Sequence, residues 1–194
     1  QSSGATGQPY VNYWMHNGFI NIDNEKMSKS KGNFFTVRDI AKEYDLQAVR
    51  MFMLSAHYRS PVNFSREMIQ QAQSSLERLS IAKDQLAFLM ASAQDRKPNE
   101  MEEAFMAYCE EVRAHFYAAM DDDLNTADAL SALFDLAREI HKLPLNGVST
   151  KALICARETF SAMAGVLGLL NRQEEELSPQ VRAMMEERAR ARKD

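Results

Sequence analysis

From Thr36 onward, apolar residues recur three and four positions apart, the spacing of amphipathic helices. The string "TVRD" opens the first segment: the Thr36 hydroxyl can satisfy orphan N–H groups, and an acid, Asp39, follows three residues on. That segment ends near Tyr44. Asp45 caps the next, whose Val49, Phe52, Met53 and Ala56 share one face until Pro61 stops it. Ser65 caps a longer helix carrying Met68, Ile69, Ala72, Leu76, Leu79, Leu86, Leu89 and Met90, broken at Lys97-Pro98-Asn99. A further helix carries Met101, Phe105, Tyr108, Val112, Phe116 and Ala119, followed by the polar "DDDLNT". Another shows Leu130, Leu133, Phe134, Ala137 and Ile140, ended by Pro144 and Gly147; the next starts about Ser149 with Leu153, Phe160, Met163 and Leu167. Ser178-Pro179 pairs a cap with a proline at the first helical position, predicting one more helix. None of these helices can bury its stripe alone in water, so an up-and-down bundle sharing one core is expected.

The first third has a different texture. Residues 10–22, "YVNYWMHNGFINI", are rich in aromatic and β-branched residues and predict two short strands around Asn17-Gly18. "DNEK" is a second turn, and "KMSKSKGN" is too polar to be a regular element. The fold class is therefore mainly α: a short β/loop region followed by an antiparallel helical bundle. The expected divisions are residues 1–64, the helical bundle at 65–170, and a linker with the start of a further helix at 171–194.

Composition narrows the picture. The chain has 194 residues, 45% of them hydrophobic, which suffices for a sizeable core. No run approaches the roughly 18 apolar residues of a membrane span. The start at Gln1 without a leader, and the helix-like "RARARKD" at the other end, suggest a piece of a longer protein. The net charge of −4 argues against a chain that is basic throughout. Basic residues cluster locally, however: from Lys26 to Arg38 there are four, with no acid among them. Cys109 and Cys155 sit far apart in helical patterns, as reduced cysteines of a cytosolic protein do. The 12 methionines are read as core filling.

One loop carries chemistry. Lys26-Met27-Ser28-Lys29-Ser30-Lys31 places three ammonium groups and two hydroxyls within six residues, before Gly32-Asn33. Lysine is a flexible point charge suited to phosphate, and hydroxyls and backbone N–H groups add donors. Read by composition alone, the segment is a solvated basic turn. In order, its residues resemble the KMSKS motif of class I aminoacyl-tRNA synthetases. "YVNYWMHNGFINIDNEKMSKSKGNFFTVRDI", "SAHYRSPVNFS" and "AMDDDLNTADALSALFDLAREI" together resemble the cysteinyl-tRNA synthetases, over roughly residues 9–170. Leu124 and Ala127 depart from that family's usual Phe and Pro.

The resemblance implies a ligase that activates cysteine with ATP and passes it to tRNA(Cys), in the cytoplasm, as a monomer. Lys26 and Lys29 would be the catalytic, ATP-phosphate-binding lysines, Lys29 foremost. Ser28 and Ser30 would support the loop, and His16 and Trp14 would line the adenosine or cysteine pocket. ATP would come with Mg2+. The family's zinc ligands and its other ATP motif would lie outside this chain, so the chain would hold no metal and be inactive alone. What remains would be the KMSKS region and the helical domain, of DALR type, that leans on the tRNA stem. A ligase joining cysteine to an amino-sugar inositol shares this loop, and a free-standing helical module binding RNA or protein is a third reading.

Three other groups stand out. His57, Tyr58 and Arg59 suit a helix C-terminal cap or a tRNA contact. Asp121, Asp122 and Asp123 suggest a cation, but a calcium loop would need Gly and Glu where Thr126 and Ala132 stand, so a helix-capping, loop-fixing role is preferred. Arg182, Arg188, Arg190, Arg192 and Lys193 could touch phosphates or form a solvated helix face.

Overall fold

The computed structural model describes residues 1–28, 30, 33 and 36–171. The expectations for the helix at Ser178-Pro179 and for Arg182 to Lys193 fall outside them. In chain order the elements are α1 (Ser2–Thr6), β1 (Ile20–Ile22), β2 (Glu25–Lys26), α2 (Val37–Glu43), α3 (Leu46–Leu54), β3 (Val62–Phe64), α4 (Arg66–Ala91), α5 (Glu100–Asp121), α6 (Thr126–His141) and α7 (Thr150–Val166). The fold is mainly α, with the small sheet before the helical bundle, as the periodicity predicts.

Capping residues set the helix starts. Thr36 and Asp39 bond reciprocally at the start of α2, and Asn99 and Glu102 do the same at α5. Asp45, Ser65, Asn125 and Ser149 each accept a backbone N–H at the starts of α3, α4, α6 and α7. Asn99 and Asn125, which the pattern marks only as breakers, are caps.

α4 to α7 bury their stripes in one core that includes Leu79, Leu86, Phe116, Leu133, Leu136, Ile140, Leu153 and Phe160. Each such side chain contributes about 2 kcal/mol by leaving water. The order of neighbours was not legible in the periodicity. α6 and α7 each pack against both α4 and α5. The connection between α4 and α5 crosses the end of the bundle. Gln94 N–H donates to Val148 O and Thr150 N–H to Gln94 O, both at 2.9 Å. Arg96 grips both oxygens of Glu102 at 2.8 Å. Glu102 also accepts from Ser149 N and Asn99 N at 2.9 Å.

Several local expectations are corrected. Residues 10–19 do not form a strand, and no hairpin turns at Asn17-Gly18. The hairpin lies one turn later: β1 pairs antiparallel with β2 across Asp23-Asn24. β3, absent from the expectation, pairs parallel with β1 in the order β2-β1-β3. α3 ends at Leu54, well before Pro61, because Ser55 takes up its last carbonyls: its N–H reaches Met51 O and Phe52 O, and its hydroxyl donates to Phe52 O. Ala56 therefore lies past the helix. Met53 and Met101 point outward, at 41% and 83% exposure, because the buried arcs of their helices are narrower than the apolar stripes.

Glu102 is the most deeply placed carboxylate of this network. The Arg96 guanidinium, with help from the Asn99 and Ser149 donors, lowers its pKa from 4.5 to about 2 against the opposing effect of burial. A lowered carboxylate pKa stabilises the fold fully above about pH 4.5, and that contribution is lost as pH falls through about 2. We expect Glu102→Ala to cost on the order of 3 kcal/mol, leaving Arg96 and two backbone donors without their acceptor. Urea unfolding at pH 7 and pH 3 checks this, with the gap between wild type and variant narrowing at the lower pH.

Candidate functional site: the Lys26 loop and its platform

The hairpin that delivers the loop turns through Asp23 and Asn24, with φ of 49° and 64°. Two successive left-handed residues match the twist of a tight antiparallel ribbon, and Asn and Asp tolerate them best after glycine. Asn24 N–H donates to Asn63 Oδ1 at 2.7 Å, tying the turn to β3. Lys26 ends β2. Its ammonium lies 6.0 Å from the Phe19 ring centroid and, among the described residues, forms no ion pair. Asn33 braces the start of the loop: its Oδ1 accepts from Ser28 N–H at 2.8 Å, and its amide donates to Lys26 O at 3.3 Å. The Ser28 and Ser30 hydroxyls share a hydrogen bond of 2.7 Å. Lys29, the lysine ranked first for ATP, lies outside the described residues, as do Lys31 and Gly32.

Trp14 and His16 stack with ring centroids 6.3 Å apart, and Tyr10 tilts against Trp14 at 6.4 Å. Trp14 is 70% exposed. Among the described residues no hydrogen bond or ring contact joins this pair to Lys26, Ser28 or Ser30. Their immediate neighbours face a cavity of about 470 Å³ lined by Met15, Asn17, Ile20, Leu54, Tyr58 and Leu124, among others. Trp14 and His16 are not in that lining.

Gly18 has a different task from the turn expected of it. Its N–H donates to Tyr58 O at 2.7 Å. A Cβ at this position would stand 2.2 Å from Ser60 O, inside any tolerable contact. Glycine is needed because two backbones touch here. One step on, Val62 N–H donates to Phe19 O at 2.9 Å, and the parallel pairing of β1 with β3 begins.

The "HYR" and "DDD" groups meet. Tyr58 OH donates to Asp123 Oδ1 at 2.8 Å, and Arg59 Nη2 lies 2.9 Å from Asp123 Oδ2. Arg59 N–H donates to His57 Nδ1 at 3.3 Å, and His57 Nε2 lies 3.7 Å from Asp123 Oδ2. Asp123 thus fixes a loop, as the sequence suggests, but across the structure. Arg59 reaches another element rather than capping its own helix. Sequence reasoning missed Asn63 and the roles of Asn33 and Gly18. Asn33 was visible only as part of a motif string, and for Asn63 no sequence signal points to its partner.

Residues 1–74 match the family of tRNA synthetases class I (C) catalytic domain, and residues 115–171 match the DALR domain. Residues 1–74 thus carry the class I tRNA synthetase family, and residues 115–171 the DALR family. Along its full length the chain is similar to cysteine–tRNA ligases. It is 45% identical over 195 residues to that of Lachnospira eligens, with 100% of this chain and 41% of that enzyme covered. It is also 45% identical to that of Clostridioides difficile strain 630, with 100% and 42% covered. The chain thus spans about two fifths of the length of these relatives. A solved neighbour is a chain of the LeuRS-tRNA-LeuAMS ternary complex of Agrobacterium radiobacter K84. Its TM-score is 0.60 at 19% identity, over 80% of this chain and 22% of that one. Among the described residues, no helix is long and apolar enough to cross a membrane.

Gly18→Ala should force β1 away from Ser60-Pro61. We expect a loss of about 2 kcal/mol, as for other forced contacts in packed sites. A thermal melt would register it as a lower midpoint, and an unchanged midpoint would contradict the close approach.

Proposed function

We propose that this chain is the KMSKS loop and helical portion of a cysteine–tRNA ligase, the enzyme that activates cysteine with ATP and transfers it to tRNA(Cys). The observation that carries the reading is a KMSKS string that starts at Lys26, the last residue of β2 in a braced hairpin, within a chain 45% identical throughout to cysteine–tRNA ligases. In adenylate formation the cysteine carboxylate attacks the α-phosphorus of ATP. The bond from that phosphorus to the oxygen bridging the α- and β-phosphates breaks, and pyrophosphate leaves with the electron pair. Charge grows on the departing oxygens, so the protein's share is position and countercharge.

Lys26 and Lys29 supply that countercharge, with Lys29 foremost. Ser28 and Ser30 steady the segment and add donors. Lys26 suits the part because no carboxylate among the described residues neutralises it, and Asn33 holds its carbonyl. His16 contacts the nucleotide, and Trp14 walls the substrate pocket. Their exposure and mutual stacking fit groups that wait for a ligand face. The helices from α4 onward contact the tRNA stem. Mg2+ accompanies ATP, and a thiol-reading zinc belongs to parts of the enzyme beyond this chain. The whole enzyme acts as a monomer in the cytoplasm.

Cysteine-dependent ATP–pyrophosphate exchange by the full-length enzyme tests this. Lys29→Ala and Lys26→Ala should each lower the exchange rate by about 10²–10³, the usual loss of one donor at developing charge. An enzyme that exchanges normally with both lysines replaced would refute the assignment. Charging assays with tRNA and with an amino-sugar inositol separate the ligase proposed here from its relative.

A further inference from the structure

We propose that Asp123 is a positioning residue for the Lys26 loop, acting from the helical bundle through Tyr58 and Arg59; this rests on the adenylate-forming reading above. The joint is built on the turn between α5 and α6. Asp123 and Leu124 both have φ of 56°, a left-handed conformation that non-glycine residues adopt only under constraint. Three backbone bonds hold it: Leu124 N–H to Met120 O, Asn125 N–H to Ala119 O, and Thr126 N–H to Leu124 O. The turn aims one carboxylate out of the bundle. Among the described residues, neither Asp121 nor Asp122 makes a side-chain hydrogen bond, so only the third aspartate is engaged.

Asp123 receives Tyr58 OH at 2.8 Å and Arg59 Nη2 at 3.1 Å on one oxygen, and Arg59 at 2.9 Å on the other. Arg59 Nε also donates to Tyr58 OH at 3.0 Å, closing a triangle. A second tie lies beside it, from the Thr126 hydroxyl to Leu54 O at 2.9 Å. The Asp123 side chain is 40% exposed, so charge attraction alone would be weak. What the joint supplies is direction: two rigid planar groups bound to one carboxylate fix the segment between α3 and β3.

From that segment the path to the loop is a run of backbone contacts. Tyr58 O accepts from Gly18, and Ser60 meets the Gly18 backbone. Phe19 O accepts from Val62, β3 pairs with β1, and β1 pairs with β2 through Asn21 opposite Lys26. No flexible side-chain link intervenes between Tyr58 and the Lys26 backbone. A shift at Asp123 therefore moves the base of the loop. The reaction is sensitive to that, because displacing a group by about 1 Å costs up to about 10²-fold in rate.

The test uses the full-length enzyme with Asp123→Ala, and with the exchanged pair Arg59→Asp and Asp123→Arg. Two measurements are made: cysteine-dependent pyrophosphate exchange, and amide hydrogen exchange. For Asp123→Ala we expect kcat to fall at least about tenfold with the KM for cysteine unchanged, as for a group that acts only in the transition state. Amides of residues 20–26 should exchange faster while those of α6 and α7 do not. The exchanged pair should recover part of both. An unchanged kcat overturns the proposal. So does faster exchange throughout α5 to α7 with no recovery in the exchanged pair, which marks a general loss of structure. If the unaltered enzyme shows no cysteine-dependent exchange, the ligase reading fails, and amide exchange at residues 20–26 alone then decides whether Asp123 steadies the hairpin.

Discussion

The geometry of the site depends on the parallel pairing of Ile20–Ile22 with Val62–Phe64. A two-stranded ribbon is marginal in water, and this one has little core of its own. Ile20 is 37% exposed, and both residues of β2 face solvent. Stability reaches it through β3. Phe64 is buried, packs edge-on to Phe52 at 5.8 Å and to Tyr44 at 6.4 Å, and belongs to the same core as the bundle. The hairpin that carries Lys26 is thus held by backbone pairing on one side and by one aromatic anchor beneath.

Three carboxylates show how placement decides what a charge does here. Glu102 is buried, and its role is satisfied by Arg96 and backbone donors, so it closes the far end of the bundle. Asp39 is exposed, and its pKa falls to about 2 because the Thr36 hydroxyl and Lys42 bond to it; it starts a helix. Asp123 stands between these extremes and joins two elements. The lysine of the loop, by contrast, has no such partner among the described residues.

The buried Cys109 and half-buried Cys155 thiols are both held against ionisation. Burial raises the pKa of Cys109 to about 12, with the Cys155 thiol alongside reinforcing it, and raises that of Cys155 in turn. Nucleophilic cysteine chemistry needs the opposite shift. In the proposed function the chain's contribution is charge and position, supplied by lysines, hydroxyls and the backbone.

Much of this was legible in the residues themselves. Helix spacing gave α2 to α7, because a buried stripe must recur with the helical period, and the caps at Thr36, Asp45 and Ser65 were local signals. The order Lys-Met-Ser-Lys-Ser pointed to the chemistry. The sheet was not legible: β3 is three residues long, and its pairing with β1 joins segments distant in sequence, which no local pattern records. Nor did the string at Gly18 tell a turn from a contact between backbones, since glycine serves both. The neighbours of Asn63 and Asp123, and the crossing between α4 and α5, were decided only when the chain closed on itself. A hydrogen bond between remote side chains leaves no period in a sequence, whereas the burial of a helix face must.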